Sequence, residues 1–242
     1  MRVDAKGLHY KDLNKKLKEL VAEAEEIEVV NVNGQRYIGT GLGNNSAVIR
    51  LYGVPGNDLA AFMNGATIYV YGNAEDGVGN TMNAGLVVIH GDARDVVGYS
   101  MRGGKIFIKG NVGYRTGIHM KAYKDRFPTI VVGGKAGDFL GEYMGGGVIV
   151  VLNRNDEEKP VGNFTATGIH GGSIFVRGKV TEELLGIGAE TNVPNEEDKK
   201  LLRELISEYA SHFQIDLDYD KSEFIKIHSR SHRPYGRLYV LE

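Results

Sequence analysis

The sequence predicts an all-β fold: a single-stranded right-handed parallel β-helix of about seven turns, built on a 19-residue repeat, with N- and C-terminal capping α-helices. Three observations predict it. Alternating apolar runs end in glycine at fixed spacing, two columns of residues recur in the same register, and 34 of the 242 residues are glycine, about twice the ~7% usual in globular proteins.

The runs AVIRLYG, ATIYVYG, LVVIHG and KIFIKG end at Gly53, Gly72, Gly91 and Gly110, each 19 residues after the last. TIVVGG, VIVVLN and SIFVRG continue the series to Gly134, Asn153 and Gly178, at steps of 24, 19 and 25 residues. Seven rungs result, two of them preceded by insertions. No unit of this size buries its own apolar face, so each must coil on the next. Backbone hydrogen bonding then sets ~4.8 Å between turns. Parallel crossovers favour the right hand, and 19 is not a multiple of the six-residue repeat of the other common solenoid.

Upstream of the strands Asp-x-x-Gly-x-x-Met recurs as DGVGNTM, DVVGYSM and DFLGEYM. Met63, Met82, Met101, Met120 and Met144 form one column, read as packing inside the coil, where an unbranched thioether fills irregular gaps. The glycine column is Gly41, Gly79, Gly98, Gly117 and Gly141, with Ala60 as the departure. It marks corners that need positive φ or close backbone approach. Gly41 enters this column because it stands three residues before Asn44, the place later held by Met.

Solenoid ends expose strand edges and need covers. Residues 1–30 are read as an N-terminal helical cap, because Leu13, Leu17, Leu20, Val21 and Ala24 fall at helical spacing. Residues 31–180 are the β-helix. Residues 181–242 are the C-terminal helical cap and tail: TEELLGIG predicts a short helix ended by glycine, and Asn195 caps a longer one with Leu201, Leu202, Leu205, Ile206, Tyr209 and Phe213 on one face. In the tail a strand-like segment precedes a turn at Pro234–Gly236.

Composition narrows function. The net charge of −2 offers no basic field for nucleic acid or an anionic membrane. No apolar run approaches a membrane span, and the start lacks the apolar middle of a signal peptide, so a soluble cytoplasmic protein is expected. The absence of cysteine removes thiolate nucleophiles, disulfides and iron–sulfur ligation from this chain.

Candidate sites are few. GTGLGNNSAV, at 39–48, resembles a phosphate loop, but Ser46 stands where a third glycine of a dinucleotide fingerprint belongs and a strand follows instead of a helix. His228 and His232 have ligand-pair spacing only on a helix, which Ser229, Ser231, Pro234 and Gly236 disfavour. Asp76, Asp95 and Asp138, with Asn57 and Tyr114 in their register, form a row expected to bond backbone amides two or three residues on. A carboxylate repeated once per turn is not the unique pair that acid–base catalysis uses. The insertions GIHMKAYKDRFP (117–128), basic and aromatic, and NRNDEEKPVGNF (153–164), mainly acidic, are where solenoids carry specific contacts. Arg115, His119, Arg126 and His170, with His232 and Arg233 of the tail, are the candidate partner interface.

Asp-x-x-Gly-x-x-Met-x-Gly-Gly before an alternating strand, seen in DVVGYSMRGGKIFIKG and DFLGEYMGGGVIVVLN, resembles the C-terminal β-helix domain of the glutamate synthase large subunit. The resemblance covers 37–180, with SHRPYGRLYV similar to the closing segment of stand-alone versions. The repeats in one subunit of molybdenum or tungsten formylmethanofuran dehydrogenase are similar, but the insertions and the helical tail fit glutamate synthase better. The resemblance implies a scaffold without catalytic, cofactor or metal residues of its own. It implies, as partners, a glutamine amidotransferase and a synthase polypeptide holding FMN and an iron–sulfur cluster, with homo-oligomerisation possible.

Overall fold

The computed structural model describes residues 1–43, 46–217 and 224–231. Its strands are β1 (Arg2–Asp4), β2 (Glu26–Asn33), β3 (Val48–Val54), β4 (Asn64–Tyr71), β5 (Ala84–Ile89), β6 (Lys105–Ile108), β7 (Thr129–Val132), β8 (Gly145–Val151), β9 (Gly171–Arg177), β10 (Ala189–Asn192) and β11 (Phe224–Ser229). Helix α1 is Tyr10–Leu20 and α2 is Glu196–Phe213, with a short 3-10 turn at Glu182–Leu184. All eleven strands form one sheet, in chain order to β9 and then β11 and β10. Pairing is parallel from β1 through β9. The chain is therefore a parallel β-solenoid.

The seven rungs of the sequence are β3–β9, separated by six complete coils. Ile49, Ile68, Val87, Ile106, Ile130, Ile149 and Ile174 are successive register partners, so the steps of 19, 24 and 25 residues all return one inward position to the same place. Ile27 of β2 extends the column by one. Every member is fully buried. Leu59, Val78, Val97, Thr116, Leu140 and Thr165 line a second wall, also fully buried. A third is only one residue wide, with parallel bridges running Ala74, Ala93, Val112, Ala136 and Val161.

The methionine column is interior, with all five members fully buried. Packing begins with Leu42 and ends with Ile169, which stand three residues after Gly39 and Ala166 as Met82 stands after Gly79. The register therefore corrects the glycine column: its first member is Gly39, not Gly41. The amide of Ala60 donates to Ile38 O and that of Gly79 to Leu59 O, whereas Gly41 donates to Ala61 O and aligns with Phe62. The first coil carries two extra residues between its corner and strand, 10 from Gly39 to Ile49 against 8 from Gly79 to Val87, and counting back from the strand misplaces the glycine.

The column excludes side chains for a packing reason as well as a conformational one. A Cβ at Gly98 would lie 2.5 Å from Ile130 Cδ1, the isoleucine one coil on, and Gly39 stands likewise at 2.5 Å from Ile68 Cδ1. Ala60 faces Val87 in the same geometry, and valine has no Cδ1. Ala60 keeps positive φ (59°) but not the clash.

The two helices cover different surfaces. In α1, capped by the His9 ring accepting from Lys11 N–H, Leu13 and Leu17 are fully buried and join the interior core. The C-terminal end of the stack is closed by β11, antiparallel on β9, with β10 outside it. Helix α2 does not lie over that end. It packs on the outer sheet face, where Leu202, Leu205, Ile206, Tyr209 and Phe213 form a second core with Val88, Phe107, Val131, Val150 and Phe175. Asn195 and Asp198 make a reciprocal capping box at its start, and Lys226 holds that end to β11 through Asp198 at 2.8 Å. At the other end the Phe213 ring lies edge-on to His90, 5.2 Å away. Tyr209 donates to Lys109 O at 3.1 Å, and burial pushes its phenol up to about 12. A Cβ at Gly133 would overlap that hydroxyl, so the helix needs glycine beneath it.

Candidate functional site

Each coil turns through a five-residue corner in which every second residue has positive φ. The corners from Arg115 onward are typical: Arg115 (55°), Gly117 (73°) and His119 (54°) are followed one coil on by Phe139 (61°), Gly141 (66°) and Tyr143 (51°), then by Phe164 (56°), Ala166 (61°) and Gly168 (68°). The alternation aims successive amides in opposite directions. Arg115 and His119 donate forward, to Asp138 O and Glu142 O at 2.9 Å each, while Gly117 donates back to Val97 O at 2.7 Å. From the second corner onward each is thus bonded to the coil on either side, which holds bulky residues in a conformation that costs them of order 1 kcal/mol or more.

The outer positions point side chains away from the interior and stack them coil on coil. The Arg115 guanidinium lies 4.6 Å over the Phe139 ring and bonds Glu142 Oε2 at 3.0 Å. Phe139 in turn stacks on Phe164 at 5.1 Å. One column over, His119 stacks on Tyr143 at 5.3 Å and meets the edge of Tyr99 at 6.1 Å. Phe62 and Phe164 are 54% and 55% exposed. Half-exposed aromatic side chains with an arginine among them are the residue types enriched at interfaces.

The aspartate row is accounted for, though not as spacing along the chain predicts. Asp76 Oδ1 accepts from Asp95 N–H at 3.1 Å, Asp95 Oδ1 from Tyr114 N–H at 2.8 Å and Asp138 Oδ1 from Asn163 N–H at 2.7 Å. These amides belong to the next coil, 19 or 25 residues away, not to the same turn. Spacing points only to local partners, and here the partner is vertical. A parallel ladder, Asn73 to Asp92 to Asn111 to Lys135, does the same work with side-chain oxygens at 2.7–2.9 Å from the next amide.

Of the candidate interface residues, Arg115 and His119 share one corner. Arg126 stands at the base of a tight turn in the insertion, where it and Tyr123 exchange backbone bonds of 3.1 and 3.0 Å. Its Cβ faces Gly103, where an added Cβ would come within 3.0 Å. His170 lies two coils beyond His119, its Nδ1 3.2 Å from Gly168 O, with the ring against Gly145. His232 and Arg233, and the turn at 234–236, lie outside the described residues. Sequence reasoning missed Tyr99, Phe139, Glu142, Tyr143 and Phe164. Their signal was present, since the register puts Phe139 below Arg115 and Tyr143 below His119. Among the described residues no three His, Asp or Glu side chains gather as a metal-ligand set, and no helix is long and apolar enough to cross a membrane.

A known family shares this solenoid. The model of the GXGXG motif family, that of the glutamate synthase C-terminal domain, matches residues 13–229. The chain belongs to the GXGXG family. The match spans the solenoid together with most of α1, all of α2 and β11, so the closing strand and the lateral helix fall within the family's unit. An uncharacterized protein of Methanocaldococcus jannaschii is 47% identical over 249 residues, covering 98% of this chain and 95% of that relative.

Proposed function

We propose that the protein is the structural, non-catalytic β-helix subunit of a split glutamate synthase, working in the cytoplasm. The observation that carries this reading is the GXGXG match over 13–229 in a chain without cysteine. None of these 242 residues can serve as a cysteine nucleophile or thiolate cluster ligand, and on this reading partner polypeptides supply both, with the FMN. A relative of nearly the same extent, 95% covered, supports a separate subunit. The aromatic corner around Arg115 and His119, with Arg126, His170 and the tail residues His232 and Arg233, is the surface on which the partners would sit.

The test is native mass spectrometry of the tagged chain purified from its own cells. Recovery of a glutamine amidotransferase and a flavin-containing synthase polypeptide is the expected result. Recovery of a molybdopterin-binding polypeptide would assign the chain to formylmethanofuran dehydrogenase instead, and recovery of neither would overturn the scaffold reading.

A further inference from the structure

Helix α1 and the first corner flank an open pocket of about 540 Å³, lined by Tyr10, Lys11, Asn14, Lys15, Lys18, Glu19, Tyr37 and Thr40. That volume is in the range of small-ligand sites. The pocket is held open by Asn14, whose Nδ2 donates to Tyr10 O at 2.8 Å and to Arg36 O at 2.9 Å, bolting helix to coil. Its floor is aromatic. The rings of Tyr10 and Tyr37 lie 5.8 Å apart, inclined at 54°.

Tyr37 occupies the first positive-φ place of its corner at 60°, the place held by Asp58, Gly77, Val96, Arg115, Phe139 and Phe164 in later coils, and it is 40% exposed. A bulky side chain bears a conformational penalty at a place that glycine fills without one. The rim is cationic. Lys11, Lys15 and Lys18 recur at i, i+4 and i+7 along one flank of α1, and none of the three forms an ion pair with a described residue. Against Glu19, the one carboxylate of the lining, they leave a local charge of +2 in a chain of net charge −2.

We propose that this pocket binds a small organic anion: a flat apolar body seated on Tyr10 and Tyr37, with a phosphate or carboxylate held by Lys11, Lys15 and Lys18. The site lies at the opposite end of the chain from the proposed tail contacts and does not depend on the assembly proposed above.

Calorimetric titration of the full chain with phenyl phosphate, inorganic phosphate and phenol tests it. Phenyl phosphate is expected to saturate one site with a Kd at least tenfold below that of either fragment. Lys15→Gln with Lys18→Gln should weaken it at least tenfold. Tyr37→Gly, which installs the residue that Gly77 already places at this corner position, should reduce it to the level of inorganic phosphate. Equal binding of the three probes, or unchanged phenyl phosphate binding in both variants with native circular dichroism, would overturn the proposal.

Discussion

Strands β3 and β4 and strands β6 to β9 present the same interior and opposite exteriors. Along one outward register column the residues are Glu28, Arg50 and Tyr69, then Val88, Phe107, Val131, Val150 and Phe175. The change falls where α2 begins to cover the sheet. In the uncovered part Arg50 pairs with Glu26 and bonds the Tyr71 hydroxyl, and it sits 4.8 Å over the ring of Tyr69, which marks the edge of the helix, 6.1 Å from the His212 ring. In the covered part the same position is packed against helix. A strand wetted on one face alternates, and one buried on both reads as a continuous apolar run. IRLY and TIYVY against LVVI, TIVV and VIVV are that contrast written in sequence.

The contrast is open to direct measurement. The largest effect is expected from Phe107→Ala, which empties a site closed by sheet and helix and should cost about 3–5 kcal/mol in denaturant unfolding. Arg50→Ala, at the same register position in the uncovered part, should cost about 1 kcal/mol. Equal losses would mean that α2 does not seal the face.

The interior, by contrast, should behave alike in both regions. Gly98→Ala is expected to cost about 1–3 kcal/mol from positive φ and the clash with Ile130. Combined with Ile130→Val, which alone costs about 0.5–1.5 kcal/mol, it should cost less than the sum, because Ala60 over Val87 already shows that pairing. Strict additivity would exclude the clash.

A smaller change of opposite sign is expected at Thr116. Its hydroxyl is buried with no partner, the only such side-chain atom among the described residues. Thr116→Val, which repeats Val97 of the preceding coil, should stabilise by about 1–2 kcal/mol. A loss of stability on calorimetry would argue that the hydroxyl is satisfied.

The smallest effect lies at the far end of α2. Burial lowers the imidazoles of His90 and His212, assisted by Lys109 at the first, while Glu208 partly offsets it at the second. Folding therefore favours their neutral forms, and the unfolded chain binds more protons. The stability they allow is complete above the unfolded value of about 6.5 and declines as pH falls through it. Lowering the pH from 7.5 to 5.5 should depress Tm by a few °C, and His212→Gln should shrink that drop. An identical pH profile in the variant would remove His212 from the account.

Much of this fold is visible in the sequence because a solenoid converts spacing into position. Gly53 to Gly110 and the methionines each announce a column, and the insertions leave it undisturbed. What spacing along the chain could not reveal was the vertical hydrogen bonding: that Asp95 bonds the coil beyond it. The two extra residues of the first coil broke the count, and Gly41 was misplaced for that reason alone. The position of α2 was legible in principle. Its apolar face was recognised, but an end cap and a lateral pad demand the same face, and only the switch from alternating to continuous strands tells them apart.

Helix α2 reaches from Lys226 on β11 to His90 after β5, across the strands and along the hydrogen-bonding direction of the sheet. It acts as a splint. Its 18 residues span about 27 Å at ~1.5 Å per residue, more than the ~19 Å between β5 and β9 at ~4.8 Å per strand. Coils in that length cannot peel one at a time without shedding the helix, whereas β1 to β3, among the described residues, carry no helix on this outer face. A load applied along the rod, or slow thermal fraying, would open it from the N-terminal end and stop at the splint.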